Sequence, residues 1–97
     1  MSDETTCRWE RVAKAVWGWH PRVNPWSEAD AVARRDYRAG SDRALAVIDG
    51  STAVGDELAA EVIRAAFSID RANWALFPPS SRRHKLECGH LIITAAA

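Results

Sequence analysis

The feature that most restricts the fold of this chain is the spacing of its apolar residues. In the segments 9–17, 29–48 and 58–67, apolar side chains recur at intervals of three and four positions. Since an α-helix completes a turn in about 3.6 residues, this spacing places them along one side of a helix. The sequence therefore predicts three amphipathic helices that bury their apolar sides against one another.

Prolines, glycines and capping residues set the limits of these helices. Pro21 ends the first helix, and Ser27 begins the second as part of a variant capping box. Gly50 is suited to end the second helix in the left-handed conformation, and Asp56 to cap the third. Gly40 marks a weak point within the second helix, where a kink or break is expected. The predicted helices cover about residues 4–19, 27–49 and 56–69.

The last third of the chain has a different pattern. Residues 70–76 form a short predicted helical turn, which a pair of prolines stops. Residues 84–94 favour an extended structure, because several are apolar and β-branched and Gly89 can occupy a hairpin turn. We therefore expect an all-α fold in one small domain, residues 1–97. It would be a bundle of three main helices with a short C-terminal β-hairpin packed on it.

Composition argues against several classes of protein. The formal net charge is zero at pH 7, whereas a dedicated nucleic-acid binder usually carries a basic excess. No apolar run approaches the ~20 residues of a membrane-spanning helix, and the polar, acidic start differs from a secretory signal. We expect a cytoplasmic protein with no membrane partner, in which Cys7 and Cys88 are reduced thiols.

Recognisable catalytic motifs are missing from the sequence. It contains no glycine-rich phosphate loop, no paired-histidine metalloprotease motif and no nucleophile elbow. The three histidines have no catalytic partner close by in sequence, and helix capping explains the acidic residues. We therefore expect a protein that is not an enzyme and has no cofactor.

Five tryptophans are many for a chain of this length. Trp9, Trp17 and Trp74 fit core positions, whereas Trp19 and Trp26 flank a loop with two prolines and are less easily buried. Aromatic residues at a rigid surface loop are typical anchors of protein interfaces, although large rings also fill small cores. The predicted protein-binding residues are Trp19, His20, Val23 and Trp26.

A second interpretation is nucleic-acid binding through two arginine-rich clusters, since arginine can bind phosphate with two hydrogen bonds. The alternative for both clusters is ordinary solvated charge, because acidic residues are interleaved with the cluster on the second helix. The candidate residues are Arg82, Arg83 and Lys85 in the tail, and Arg34 and Arg38 in the second helix.

A third interpretation is a zinc-stabilised interaction domain. Zinc prefers four nitrogen or sulfur ligands, and the candidates are His84, Cys88, His90 and Cys7. The single residue between Cys88 and His90 is not a usual ligand spacing, because it places the two side chains on opposite faces of a strand. A homodimer is compatible with any of the three interpretations, since a small domain with many large apolar residues can expose a self-associating patch.

Three runs of residues lie in and just before the second predicted helix: Pro25-Trp26-Ser27, Arg35-Asp36-Tyr37-Arg38-Ala39 and Arg43-Ala44-Leu45-Ala46-Val47-Ile48. Together they resemble a helix found in short accessory proteins of actinobacterial phages and prophages. The resemblance covers residues 10–49 and carries no functional residues over. It implies a small, non-essential phage product that acts on a host component in the bacterial cytoplasm. Our leading expectation is therefore a non-catalytic accessory protein that binds a host macromolecule, specifically a protein.

Overall fold

The computed structural model describes residues 7–20 and 24–97, and within these ranges the chain forms helices and no β-strand. A short 3-10 turn, Trp26–Glu28, lies between the first two helices. The α-helices are α1 (Arg8–Trp19), α2 (Ala31–Gly50), α3 (Gly55–Ala66), α4 (Arg71–Leu76) and α5 (Pro79–Ala96). Over the same ranges, none of these helices combines the length and the apolar character needed to cross a bilayer.

Four of the helices surround the larger of two buried apolar clusters, which we call the core. Helix α5 packs against α1 and α3, and α2 packs against the same two helices from the opposite side. Helices α2 and α5 therefore lie diagonally across the bundle, while α4 is a short connection between α3 and α5. The buried residues of this core are Val12, Val16, Ala44, Val62, Ile63, Cys88, Ile92 and Ala96. The predicted helical bundle is confirmed, with one more long helix than expected.

The predicted C-terminal hairpin is wrong, because residues 84–94 lie inside α5. The pair of prolines follows the end of α4 at Leu76, as expected, and it also begins the next helix. Pro79 is the first residue of α5, a position where proline's missing N–H is not needed and its φ angle is already helical. Cys88, Ile92 and Ala96 are spaced by four and are all buried, so burial of a helical stripe outweighs the strand preference of β-branched residues.

Two glycines allow helices to approach each other closely. A Cβ atom at Gly89 would lie 2.6 Å from the carbonyl oxygen of Ala59, so α5 crosses α3 with the two backbones nearly in contact. A Cβ atom at Gly40 would lie 2.9 Å from the carbonyl oxygen of Ala66, at the end of α3. The weak point expected at Gly40 does not interrupt α2, and the residue serves close helix packing instead.

Arginines of α1 bind the C-terminal end of α5. Arg8 Nε donates to the carbonyl oxygen of Ala96 at 2.9 Å, and Arg11 Nε donates to that of Ala95 at 3.0 Å. The other nitrogens of Arg8 make two hydrogen bonds of 3.0 Å to the carboxylate of Asp49, near the end of α2. These hydrogen bonds raise the pKa of Arg8 and lower that of Asp49. One guanidinium group thus links α1, α2 and α5.

The ends of α3 and α4 are bound in the same manner. Arg43 of α2 donates through Nε and Nη2 to the carbonyl oxygens of Ala65 and Ala66, at 2.8 and 2.9 Å. Arg82 of α5 donates to two carbonyl oxygens at the end of α4, at 3.2 and 2.7 Å. The last carbonyls of a helix have no partner within it, so each contact satisfies acceptors that would otherwise depend on water.

Chain reversal after α3 requires a left-handed residue, and that residue is Ser68. Its φ angle is 56°, which is favoured by glycine and costs a residue with a Cβ atom about 1 kcal/mol. The amide of Ile69 donates to the carbonyl oxygen of Arg64 at 2.8 Å, as in a Schellman motif. The turn brings Ile69 back against the core.

Replacing Gly89 with alanine tests the close crossing of α5 and α3. We expect Gly89→Ala to destabilise the fold by about 1–3 kcal/mol, because the new methyl group must displace the backbone of Ala59. The measurement is the free energy of unfolding from urea denaturation. Gly18→Ala is the matched control: Gly18 is exposed with no heavy atom within 4 Å of its Cβ position, so the change should stabilise α1 by up to about 1 kcal/mol. Equal stability of the Gly89→Ala variant and the unsubstituted chain would contradict the crossing.

Candidate functional site

A cleft of about 290 Å³ opens where the end of α1, the end of α3 and the first turns of α5 meet. We call it the Trp19 cleft. Its lining residues are Trp19, His20, Ile63, Phe67, Ile69, His84 and Lys85. The structure thus brings together residues that the sequence assigned to three different interpretations: Trp19 and His20 to protein binding, Lys85 to nucleic acid and His84 to metal.

The aromatic rings of the Trp19 cleft form a continuous series of contacts, from His84 through Trp19 and His20 to Phe67. The ring centroid of Trp19 lies 4.9 Å from that of His20 and 4.7 Å from that of His84. The ring of Phe67 lies 6.0 Å from that of His20 and is nearly perpendicular to it. Trp19 is half-buried and Phe67 is 41% exposed, so part of this aromatic wall is open to solvent.

Helix ends position these rings. Trp19 is the last residue of α1, and the amide of His20 still donates to the carbonyl oxygen of Val16 at 3.2 Å. Phe67 is the C-cap of α3 and directly precedes the left-handed Ser68. His84 lies in the second turn of α5. Because each residue stands at or near the end of a packed helix, the cleft is fixed by the bundle.

The polar side chains of the cleft are predominantly basic. Lys85 Nζ lies 3.0 Å from the hydroxyl of Ser81 and 4.4 Å from the ring centroid of Phe77. His84 Nδ1 lies 3.5 Å from a carboxylate oxygen of Glu87, outside the lining. Among the residues known to line the cleft, none is acidic. An anionic or neutral group therefore suits the cleft better than a cationic one.

Phe67, Ile63 and Ile69 complete the site, and sequence reasoning did not select them. Periodicity placed Ile63 and Phe67 together on the buried stripe of the third helix, and Ile63 is indeed inaccessible to solvent. The sequence around Phe67 does not show that it is exposed while Ile63, one helical turn earlier, is buried. This difference in exposure depends on how α1 and α5 pack around the end of α3.

Trp26 does not belong to this surface. Only 7% of it is exposed, and its ring centroid lies 5.7 Å from that of Trp17 and 6.5 Å from that of Trp9. Its Nε1 atom donates to Glu10 at 3.3 Å. The expectation that Trp26 is hard to bury is wrong, because the 3-10 turn folds its ring back onto α1. Val23 lies outside the described residues.

The arginines proposed for nucleic acid are largely occupied within the protein. Arg34 Nε donates to the carbonyl oxygen of Ala29 at 3.0 Å, and its guanidinium lies 4.9 Å from the ring centroid of Trp26. Arg38 lies 5.0 Å from the ring centroid of Trp9 and 3.9 Å from a carboxylate oxygen of Asp42.

The two basic clusters also lie at opposite ends of α1. Arg38 contacts Trp9, near the start of the helix, whereas His84 of the α5 cluster contacts Trp19 at its end. Ten residues of helix separate these contacts by about 15 Å. The exposed Arg83 belongs to the second cluster, and Arg82 is bound to the end of α4. The clusters do not combine into one basic surface.

The four metal candidates do not converge. Cys88 is fully buried in the core, whereas His90 lies on the surface with its Nε2 atom 2.7 Å from a carboxylate oxygen of Asp56. His84 contacts Trp19, and Cys7 is exposed just before α1. In residues 7–20 and 24–97, no group of three histidine, cysteine or acidic side chains could hold a metal ion.

The two thiols should differ strongly in reactivity. Burial raises the pKa of Cys88 to about 12, whereas Cys7 is exposed. In a Cys7→Ser variant, we expect iodoacetamide to modify the remaining thiol about 1000-fold more slowly in the folded protein than in urea, since labelling requires unfolding. Mass spectrometry at timed intervals measures both rates. The Cys88→Ala variant is the control and should react rapidly through Cys7. Fast labelling of folded Cys7→Ser would contradict the placement of Cys88.

Comparison with known protein families, with curated protein sequences and with solved structures finds no match in any of the three.

Proposed function

We propose that this chain is a non-catalytic accessory protein of the phage type that binds a segment of a host protein in the Trp19 cleft. The observation that carries the proposal is the aromatic wall of Trp19 and Phe67, which the fold supports rigidly and leaves partly exposed. Partly exposed aromatic side chains in a preformed concavity are typical anchors of protein interfaces.

The lining indicates the chemistry of the bound segment. Ile69 provides an apolar surface that is continuous with the buried Ile63 of the core, so the cleft suits an apolar side chain. Lys85 and the two imidazoles provide the polar rim. The complementary ligand is a peptide segment with an apolar residue beside an aspartate or glutamate.

The same lining supports binding in preference to catalysis. The known lining residues include no hydroxyl, thiol or carboxylate group, which are the usual nucleophiles and the usual partners of a catalytic histidine. His20 and His84 both contact the ring of Trp19, and in this position they extend the aromatic wall of the cleft.

Matched variants of the chain test the proposal in extracts of an actinobacterial host. Immobilised protein is incubated with nuclease-treated extract, and retained proteins are quantified by mass spectrometry. Trp19→Ala and His84→Ala alter the cleft. Leu76→Ala is the control, because Leu76 is a large apolar residue in α4 that is 79% exposed and does not line the cleft. Thermal melting verifies that each variant is folded.

We expect a host protein that is retained by the unsubstituted chain and by Leu76→Ala but not by the two cleft variants. With that protein purified, Trp19→Ala should raise the Kd by roughly 30-fold or more, which corresponds to the loss of an interface anchor. Equal affinity of the unsubstituted chain and both cleft variants would remove the cleft from the interface. If retention is instead seen only in extract without nuclease treatment and weakens steeply with salt, the nucleic-acid interpretation replaces this proposal.

A further inference from the structure

The arginines of this protein divide into two groups. Several donate hydrogen bonds to backbone carbonyls, and others lie beside carboxylates. The members of this engaged group are Arg8, Arg11, Arg34, Arg35, Arg38, Arg43 and Arg82. In residues 7–20 and 24–97, Arg64, Arg71 and Arg83 make no such hydrogen bond or ion pair.

Two of these unpaired arginines line one cleft. It has a volume of about 350 Å³ and lies between α2, α3 and the first residue of α4. We call it the arginine cleft. Its lining residues are Val47, Glu61, Arg64, Ala65, Ile69 and Arg71. Ile69 also lines the Trp19 cleft, so the two clefts lie on either side of the connection between α3 and α4.

The side chain of Arg64 contains a buried donor atom that has no hydrogen-bond acceptor in residues 7–20 and 24–97. Its Nε atom is inaccessible to solvent and has no hydrogen-bond partner among the residues that the structure describes. A buried donor without an acceptor costs about 1–3 kcal/mol, and folded proteins rarely keep one without a functional or structural reason. The guanidinium group of Arg64 is therefore not committed to an acceptor among the described residues, and Arg64 lines the arginine cleft.

We propose that the arginine cleft binds a small phosphate monoester. A guanidinium group presents several N–H donors in a plane that matches the oxygens of phosphate, and two such groups match the charge of a dianion. The apolar side chains of Val47, Ala65 and Ile69 line the remainder of the cleft.

Glu61 is the acidic residue among the described residues that line the arginine cleft, and replacing it should change phosphate affinity in the opposite direction from replacing an arginine. Both of its carboxylate oxygens lie within hydrogen-bond distance of the Ser51 hydroxyl, at 3.2 and 3.4 Å, and Glu61 does not pair with either arginine of the cleft. Its negative charge nevertheless opposes a bound anion. Neutralising this residue should therefore tighten binding, whereas removing either arginine should weaken it.

Isothermal titration with inorganic phosphate tests the site, at constant ionic strength and with nitrate as the comparison anion. We expect Arg64→Gln and Arg71→Gln each to raise the Kd by about tenfold or more, and Glu61→Gln to lower it. Arg83→Gln is the matched control, because Arg83 is also exposed and unpaired but does not line the cleft. Its Kd should equal that of the unsubstituted chain.

Three results would overturn the proposal. The first is no binding by the unsubstituted chain or by Glu61→Gln at about 10 mM phosphate. The second is a loss of phosphate affinity in Arg83→Gln equal to that in Arg64→Gln and Arg71→Gln. The third is a Kd for nitrate equal to that for phosphate. Both of these results would indicate general attraction of anions to positive charge. If Arg64→Gln does not fold, Arg71→Gln decides, because Arg71 is exposed and its replacement leaves the core unchanged. Because the arginine cleft shares neither arginine with the Trp19 cleft, this test is independent of host-protein binding.

Discussion

Carbonyl oxygens at the end of an α-helix have no partner within that helix, and arginines of neighbouring helices bind them in this protein. Arg8 and Arg11 join α1 to the end of α5, while Arg43 joins α2 to the end of α3. Positive charge at these positions also complements the helix dipole. The contacts of Arg8 and Arg11 join the first helix to the last, and that of Arg43 joins two consecutive helices, so they set where these helices end relative to their neighbours. Both clefts lie beside the end of α3, whose last carbonyl oxygens Arg43 binds.

Helical periodicity was sufficient to predict α1, α2 and α3. Each has a broad apolar stripe, and proline or glycine residues separate one helix from the next. Periodicity failed for α5, where Gly89 and the β-branched Ile92 suggest a strand when considered locally. Gly89 is instead the contact point with the backbone of Ala59 in α3. That partner is thirty positions away, so no local pattern reveals it.

Only part of the candidate site was predictable from the sequence, because the direction of each ring depends on residues distant in the chain. Trp19 and His20 were identified from the proline loop, and both line the Trp19 cleft. Trp26 was assigned the same role, but its ring packs against Trp17 and Trp9. Sequence shows that large rings flank a loop, whereas the direction in which each ring points is decided by the 3-10 turn and by α1. The sequence also does not show which arginines bind helix-end carbonyls and which are available to a ligand, because the residues around them in the chain are of the same kinds.

The arrangement of the helices depends most directly on the hydrogen bonds between arginine Nε–H groups and helix-end carbonyls. Nuclear magnetic resonance can measure the exchange of these protons with water for each arginine separately. Arg8, Arg11, Arg34 and Arg43 all donate through Nε, so their Nε protons should exchange markedly more slowly than that of the exposed Arg83. If all arginines instead exchange at the rate of Arg83, these side chains do not bind the helix ends and the described basis of the fold is wrong.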